Sequence, residues 1–121
     1  MANPNIVNVS SILGVTDTFA LTTTLTSLVT CTTDKVFKIN SIMVANVDGS
    51  NAADVTISYN DVSGATTRAI ASTISVPADA TLSVIDKNNG FYLTQGDIIK
   101  GQASADGDLE VLVSYEILDD A

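Results

Sequence analysis

The chain has 121 residues, fourteen acidic side chains against five basic ones, and a net charge of −9. That length fits one domain with a core large enough to need neither disulfide nor metal. The five cations (Lys35, Lys38, Arg68, Lys87 and Lys100) are scattered, so no basic stripe exists to neutralise phosphates, and an anionic membrane would repel the surface.

Residues 1–15 mix Ile6, Val7, Val9, Ile12, Leu13 and Val15 with Asn and Ser, which predicts either a first strand or an extended arm ahead of one domain over 16–121. The opening Met1-Ala2-Asn3-Pro4-Asn5 lacks the basic and apolar regions of a signal peptide. No apolar run approaches the roughly 20 residues of a membrane span, so the expectation is synthesis in the cytoplasm with no membrane partner. Residues 16–33 are rich in Thr, whose β-branch suits a pleated surface. They read as a half-exposed strand pair, with Phe19, Leu21 and Leu25 on one face and Leu28 and Thr30 on the other. A strand that pairs with a neighbouring molecule is the alternative. Cys31 is alone and reads as a small buried hydrophobe.

Residues 36–46 predict a longer strand, Phe37, Ile39, Met43 and Ala45 facing one way and Ile42 and Val44 the other. Apolar residues on both faces imply a central strand, or one whose second face meets another molecule. Residues 54–59 alternate, with Val55, Ile57 and Tyr59 inward, and 67–76 place Ile70, Ile74 and Val76 together. Shorter strands follow at 81–86 and 91–93. In 97–104, Gly101 marks a bulge or a close backbone approach. The strongest alternation is 109–117, where Leu109, Val111, Val113, Tyr115 and Ile117 share a face and Leu112 is the apolar exception on the other. Asn, Asp and Gly clusters at 48–51, 61–64, 87–90, 95–97 and 106–108, and Pro77-Ala78-Asp79-Ala80, supply the turns. A short helical turn fits near Pro77 or Asn88. About eight short antiparallel strands at this spacing predict an all-β fold, a β-sandwich or jelly-roll-like.

The chain has no His, the commonest general base and metal ligand, and its single Cys cannot build a zinc cluster. No Gly-rich loop leads into a helix to cradle phosphate. Trp is absent, and of Tyr59, Tyr92 and Tyr115 two fall at inward strand positions, which leaves little for stacking sugars or bases. Glu110 and Glu116 share a strand face but stand roughly 20 Å apart, too far to act as an acid pair. The residues therefore point away from an enzyme and from any cofactor. Asp106, Asp108 and Glu110, and Asp48 with Asn51 and Asp54, are weak oxygen-ligand sets for calcium, although Asx residues are expected in such turns anyway.

Residues 35–42 (KVFKINSI) running to Ala45-Asn46-Val47-Asp48-Gly49 resemble the small virion structural proteins of tailed bacteriophages, cyanophages especially. So do Ile74-Ser75-Val76-Pro77-Ala78-Asp79-Ala80-Thr81-Leu82, Leu93-Thr94-Gln95-Gly96-Asp97-Ile98-Ile99, the ending 109–116 and the opening 1–7. The likeness covers nearly the whole chain through fold-level patterns, and it brings no catalytic motif. It implies a part of the phage particle located in the virion. The first expectation is a capsid decoration or cement protein that binds the major capsid protein on the outer shell and copies of itself, with no nucleic-acid partner. Alternatives are a tail, neck or fibre component, and a host-surface or glycan-binding module. The candidate contact residues are Ile6, Val7, Val9, Ile12 and Leu13 of the first segment, Ile42 and Val44 of the long strand, and the Thr-rich stretch.

Overall fold

The computed structural model describes residues 9–119. Nine strands follow in order: β1 Ser11–Ala20, β2 Thr26–Thr30, β3 Lys35–Asn46, β4 Ala53–Asp61, β5 Thr66–Val76, β6 Thr81–Ile85, β7 Phe91–Leu93, β8 Ile98–Ala103 and β9 Leu109–Asp119. They form two antiparallel sheets. One has the order β1-β9-β3-β6, with β7 beside β6 on the same flank of β3, and the other has the order β2-β8-β4-β5. Only β4–β5 and β6–β7 connect within a sheet; every other link passes from one sheet to the other. The fold is the expected all-β sandwich.

Alternation explains the core. Leu109, Val111, Val113 and Tyr115 of β9 are buried against Val55 and Ile57 of β4, with Phe37 and Ile39 of β3 and Ile99 of β8 in the same cluster. The inward sets expected for β4 and β9 are therefore observed. β3 is central, flanked by β9 on one side and by β6 and β7 on the other. Gly101 is a site of close approach. A Cβ there would stand 2.8 Å from Leu28 Cδ1 and 3.0 Å from Leu21 Cδ2, so the two leucines pack onto bare backbone. Of the two places for a helical turn, the one at Asn88 forms as a single 3₁₀ turn, Lys87–Asn89, whose N-cap Asp86 accepts a 2.9 Å hydrogen bond from the Asn88 N–H.

Three expectations need correction, and a strand bulge accounts for the first. β3 pairs with β9 in register from Lys35 to Ile39 and again from Ser41 to Asn46, with Asn40 the extra residue between. One inserted residue reverses the alternation, so Phe37, Ile39, Ile42 and Val44 all face the core. Ile42 and Val44 are fully buried and offer nothing to a partner. The outward residues of this strand are Met43 and Ala45. In β5, Ile74 pairs with Val55 and shares the face of Val76, which pairs with Ala53, yet on this edge strand Ile74 is exposed while Val76 is buried. The Thr-rich stretch is two strands but not a pair: β1 joins β9 in one sheet and β2 joins β8 in the other. Of the two alternatives for the first segment, residues 11–15 take the strand. They are the first half of β1, paired residue by residue with β9 from Ser11↔Asp119 to Ala20↔Glu110.

Candidate docking surfaces

The polar groups drawn inside the sandwich are committed to holding it together. Asp97 is buried, and its carboxylate accepts from the Tyr59 hydroxyl at 2.5 Å, the Thr94 hydroxyl at 2.9 Å, and the backbone N–H of Thr94 and of Val62, both at 3.1 Å. Burial alone would raise its pKa; the hydrogen bonds from Tyr59, Thr94 and Val62 outweigh burial and hold the carboxyl below its ordinary range. Burial and the facing Asp97 push the Tyr59 phenol well above its ordinary value. Tyr115 is shifted the same way by burial and by donating to Asp17 at 2.6 Å. The Cys31 thiol is pushed up to about 11, chiefly by burial, and donates to the Lys35 carbonyl at 3.2 Å. A buried thiol held protonated is a packing group, as expected, rather than a nucleophile. Among the described residues no buried side-chain nitrogen or oxygen lacks a partner.

The acidic turn residues do not converge on a cation. Asp106 accepts from the Thr23 N–H at 2.8 Å and so ties two loops, while Glu110 lies out on the face of a sheet. Asp48 accepts from the Ser50 N–H at 2.8 Å and from Asn51 Nδ2 at 3.4 Å, the pattern of an Asx turn. Those contacts, the Ser50 N–H first, lower its pKa. Among the described residues no three of His, Cys, Asp and Glu are grouped to hold a metal ion.

Ile6 and Val7 lie outside the described residues. Val9 is half-buried, and Ile12 and Leu13 stand 63% and 60% exposed on β1. The larger opening is on the outer face of the first sheet, where residues stack in rows across the strands. One row is Thr18, Leu112, Met43 and Ser83; the next is Ala20, Glu110, Ala45 and Thr81. Two alanines beside Glu110 leave its row low next to the Leu112–Met43 ridge. The result is an open groove of about 480 Å³. Glu110 is the acidic residue among those that line it, and Val47, 51% exposed, follows Asn46 at the end of β3. A smaller and more polar hollow on the second sheet lies between Thr56, Thr73 and Gln102.

Sequence reading missed Met43 and Ala45 as surface residues because the Asn40 bulge has no periodic signature. Leu112 was visible as an apolar residue on an otherwise polar face, which is the mark of a side chain that lines such a groove. No protein-family model matches the chain, and no curated protein matches its sequence.

Proposed function

We propose that this chain is a non-enzymatic structural protein of a tailed-phage virion, a capsid decoration protein that binds the outer surface of the major capsid shell and stabilises it. The observation that carries this reading is the division of labour in the sandwich. Its buried polar side chains are all partnered among the described residues, and the outer face of the first sheet carries an open groove lined by Met43, Leu112 and Ala45. Such a shape suits docking of a protein surface. The likeness of most of the chain to small virion proteins supports the same reading. Many copies on a regular lattice turn individually weak contacts into firm attachment. A net charge of −9 favours a shell surface with a basic patch.

Quantitative mass spectrometry of purified particles tests the assignment. A copy number comparable to that of the major capsid protein, with matching density on the shell in images of the intact particle, is the expected result. A handful of copies per particle, or label confined to the tail, refutes it.

A further inference from the structure

The two sheets have four flanks, and three of them are defended against further strand pairing. β2 has five residues and a bulge at Leu28. β5 is longer, but two register shifts break it, Thr73 takes a positive φ of 52°, and Arg68 sits on it. The flank formed by β6 and β7 is two short strands interrupted by the 3₁₀ turn, with a further register shift in β6. Bulges, short strands and charges are the usual means of keeping an edge closed.

β1 is neither short nor bulged. Its ten residues, SILGVTDTFA, pair with β9 without a register shift and include no Pro, Lys or Arg. Its one charge, Asp17, accepts the Tyr115 hydroxyl. Among the described residues no strand pairs with the other side of β1. A long, regular edge of this kind recruits a strand.

We infer that β1 is the pairing edge for a second copy of this chain, antiparallel to its counterpart about a two-fold axis through Thr16. The sequence selects both the occupant and the register. A two-fold axis normal to the sheet keeps inward residues opposite inward residues, so the axis passes through a residue rather than between two. Centred on Thr16, Leu13 meets the partner's Phe19, Ile12 meets the partner's Ala20, and Asp17 meets the partner's Val15. Each contact occurs twice. Centring on Asp17 would oppose two carboxylates, and centring on Val15 would set Leu13 against Asp17. Ile12 and Leu13, the two most exposed large apolar residues described, are both covered in the Thr16 register. The two five-stranded sheets become one, and both Leu112–Met43 grooves face the same side. A bivalent attachment to the shell through those grooves rests on the virion reading; the strand pairing does not.

Sedimentation equilibrium of the full chain tests it. The strand interface is at the small end of specific contacts, so loadings should reach about 500 µM. The expected mass rises with concentration from 12.5 kDa towards twice that value. Association strengthens at about 0.5 M salt, which screens repulsion between two acidic copies. Thr16→Lys sets two lysines opposite one another and should weaken association at least tenfold with an unchanged circular dichroism spectrum. Thr67→Lys, on the bulged β5 flank, should leave association unchanged. Thr16→Cys should oxidise to a covalent dimer, and Thr67→Cys should not. A wild-type chain that stays monomeric at high concentration and salt overturns the inference and leaves the edge to a strand of another protein. A Thr16→Lys variant that associates as the wild type does overturns it in favour of another surface. Either failure leaves the copy number on particles unaffected, so it is separable from failure of the virion assignment.

Discussion

Asp97 links three separate segments, the β4 strand through Tyr59, the turn after it through Val62, and the β7–β8 turn through Thr94. Replacing it by alanine leaves those donors unpaired in a dry site. Asp97→Ala should cost about 3 kcal/mol in urea denaturation, and Tyr59→Phe about 1 kcal/mol. The pH dependence follows from the same contacts. Asp97 titrates lower in the folded chain than in the unfolded one, so the stability it contributes is complete above about pH 4 and is lost as pH falls through the folded value. Tyr59 and Tyr115 titrate higher when folded, so their contribution is complete below about pH 10 and is lost as pH rises through their folded values. Urea midpoints measured across pH should be level between about 5 and 9 and fall on both sides. Tyr59→Phe should soften the alkaline fall. The aspartate was visible in the sequence only as part of a Gln-Gly-Asp turn. Its partners come from residues as far as 38 positions away, a distance that local patterns do not report.

At the scale of the element, the two glycines that sit in strands have opposite roles. Gly101 in β8 is where Leu28 and Leu21 reach the backbone, and Gly101→Ala should cost about 1–2 kcal/mol by overpacking. Gly14 in β1 has nothing within 4 Å of a Cβ, and Gly14→Ala should be neutral or stabilise by a few tenths of a kcal/mol. Thermal melting of the two variants checks the contrast. The role of Gly101 was legible because a glycine inside an apolar strand forgoes side-chain packing, a loss that a bulge or a close backbone approach offsets. β4 and β9 were legible too, since alternation runs unbroken from Ala53 to Ile57 and from Leu109 to Tyr115, with that face buried. β3 was legible as a strand but not in its orientation beyond Asn40. A bulge adds one residue without any compositional mark, and every side chain beyond it changes face.

For the molecule as a whole, the inversion in β3 decides which apolar residues build the core and which remain for a partner. Ile42→Ala should lower stability by about 3 kcal/mol by leaving a cavity, while Met43→Ala should cost less than about 1 kcal/mol. On the proposed function, Met43→Glu should fold normally and fail to bind capsids that lack the protein, as read by co-sedimentation. The grooved sheet and the open β1 edge adjoin one another, since Thr18 and Ala20 belong to both. Attachment and self-association therefore draw on neighbouring parts of one surface, with Glu110 the acidic residue of the groove and Asp17 that of the edge.

The sequence by itself determined the all-β class, the positions of the strands from Lys35 onward, the inward faces of β4 and β9, the turns between strands and the absence of histidine chemistry. These follow from period-2 alternation and residue type, which are written within a few neighbouring positions. Only the tertiary structure decided that β1 and β2 part to opposite sheets, that Ile42 and Val44 are core, and that Met43, Ala45 and Leu112 border a groove. Strand partnership depends on which edges close a common core, and that is settled between residues far apart in the chain.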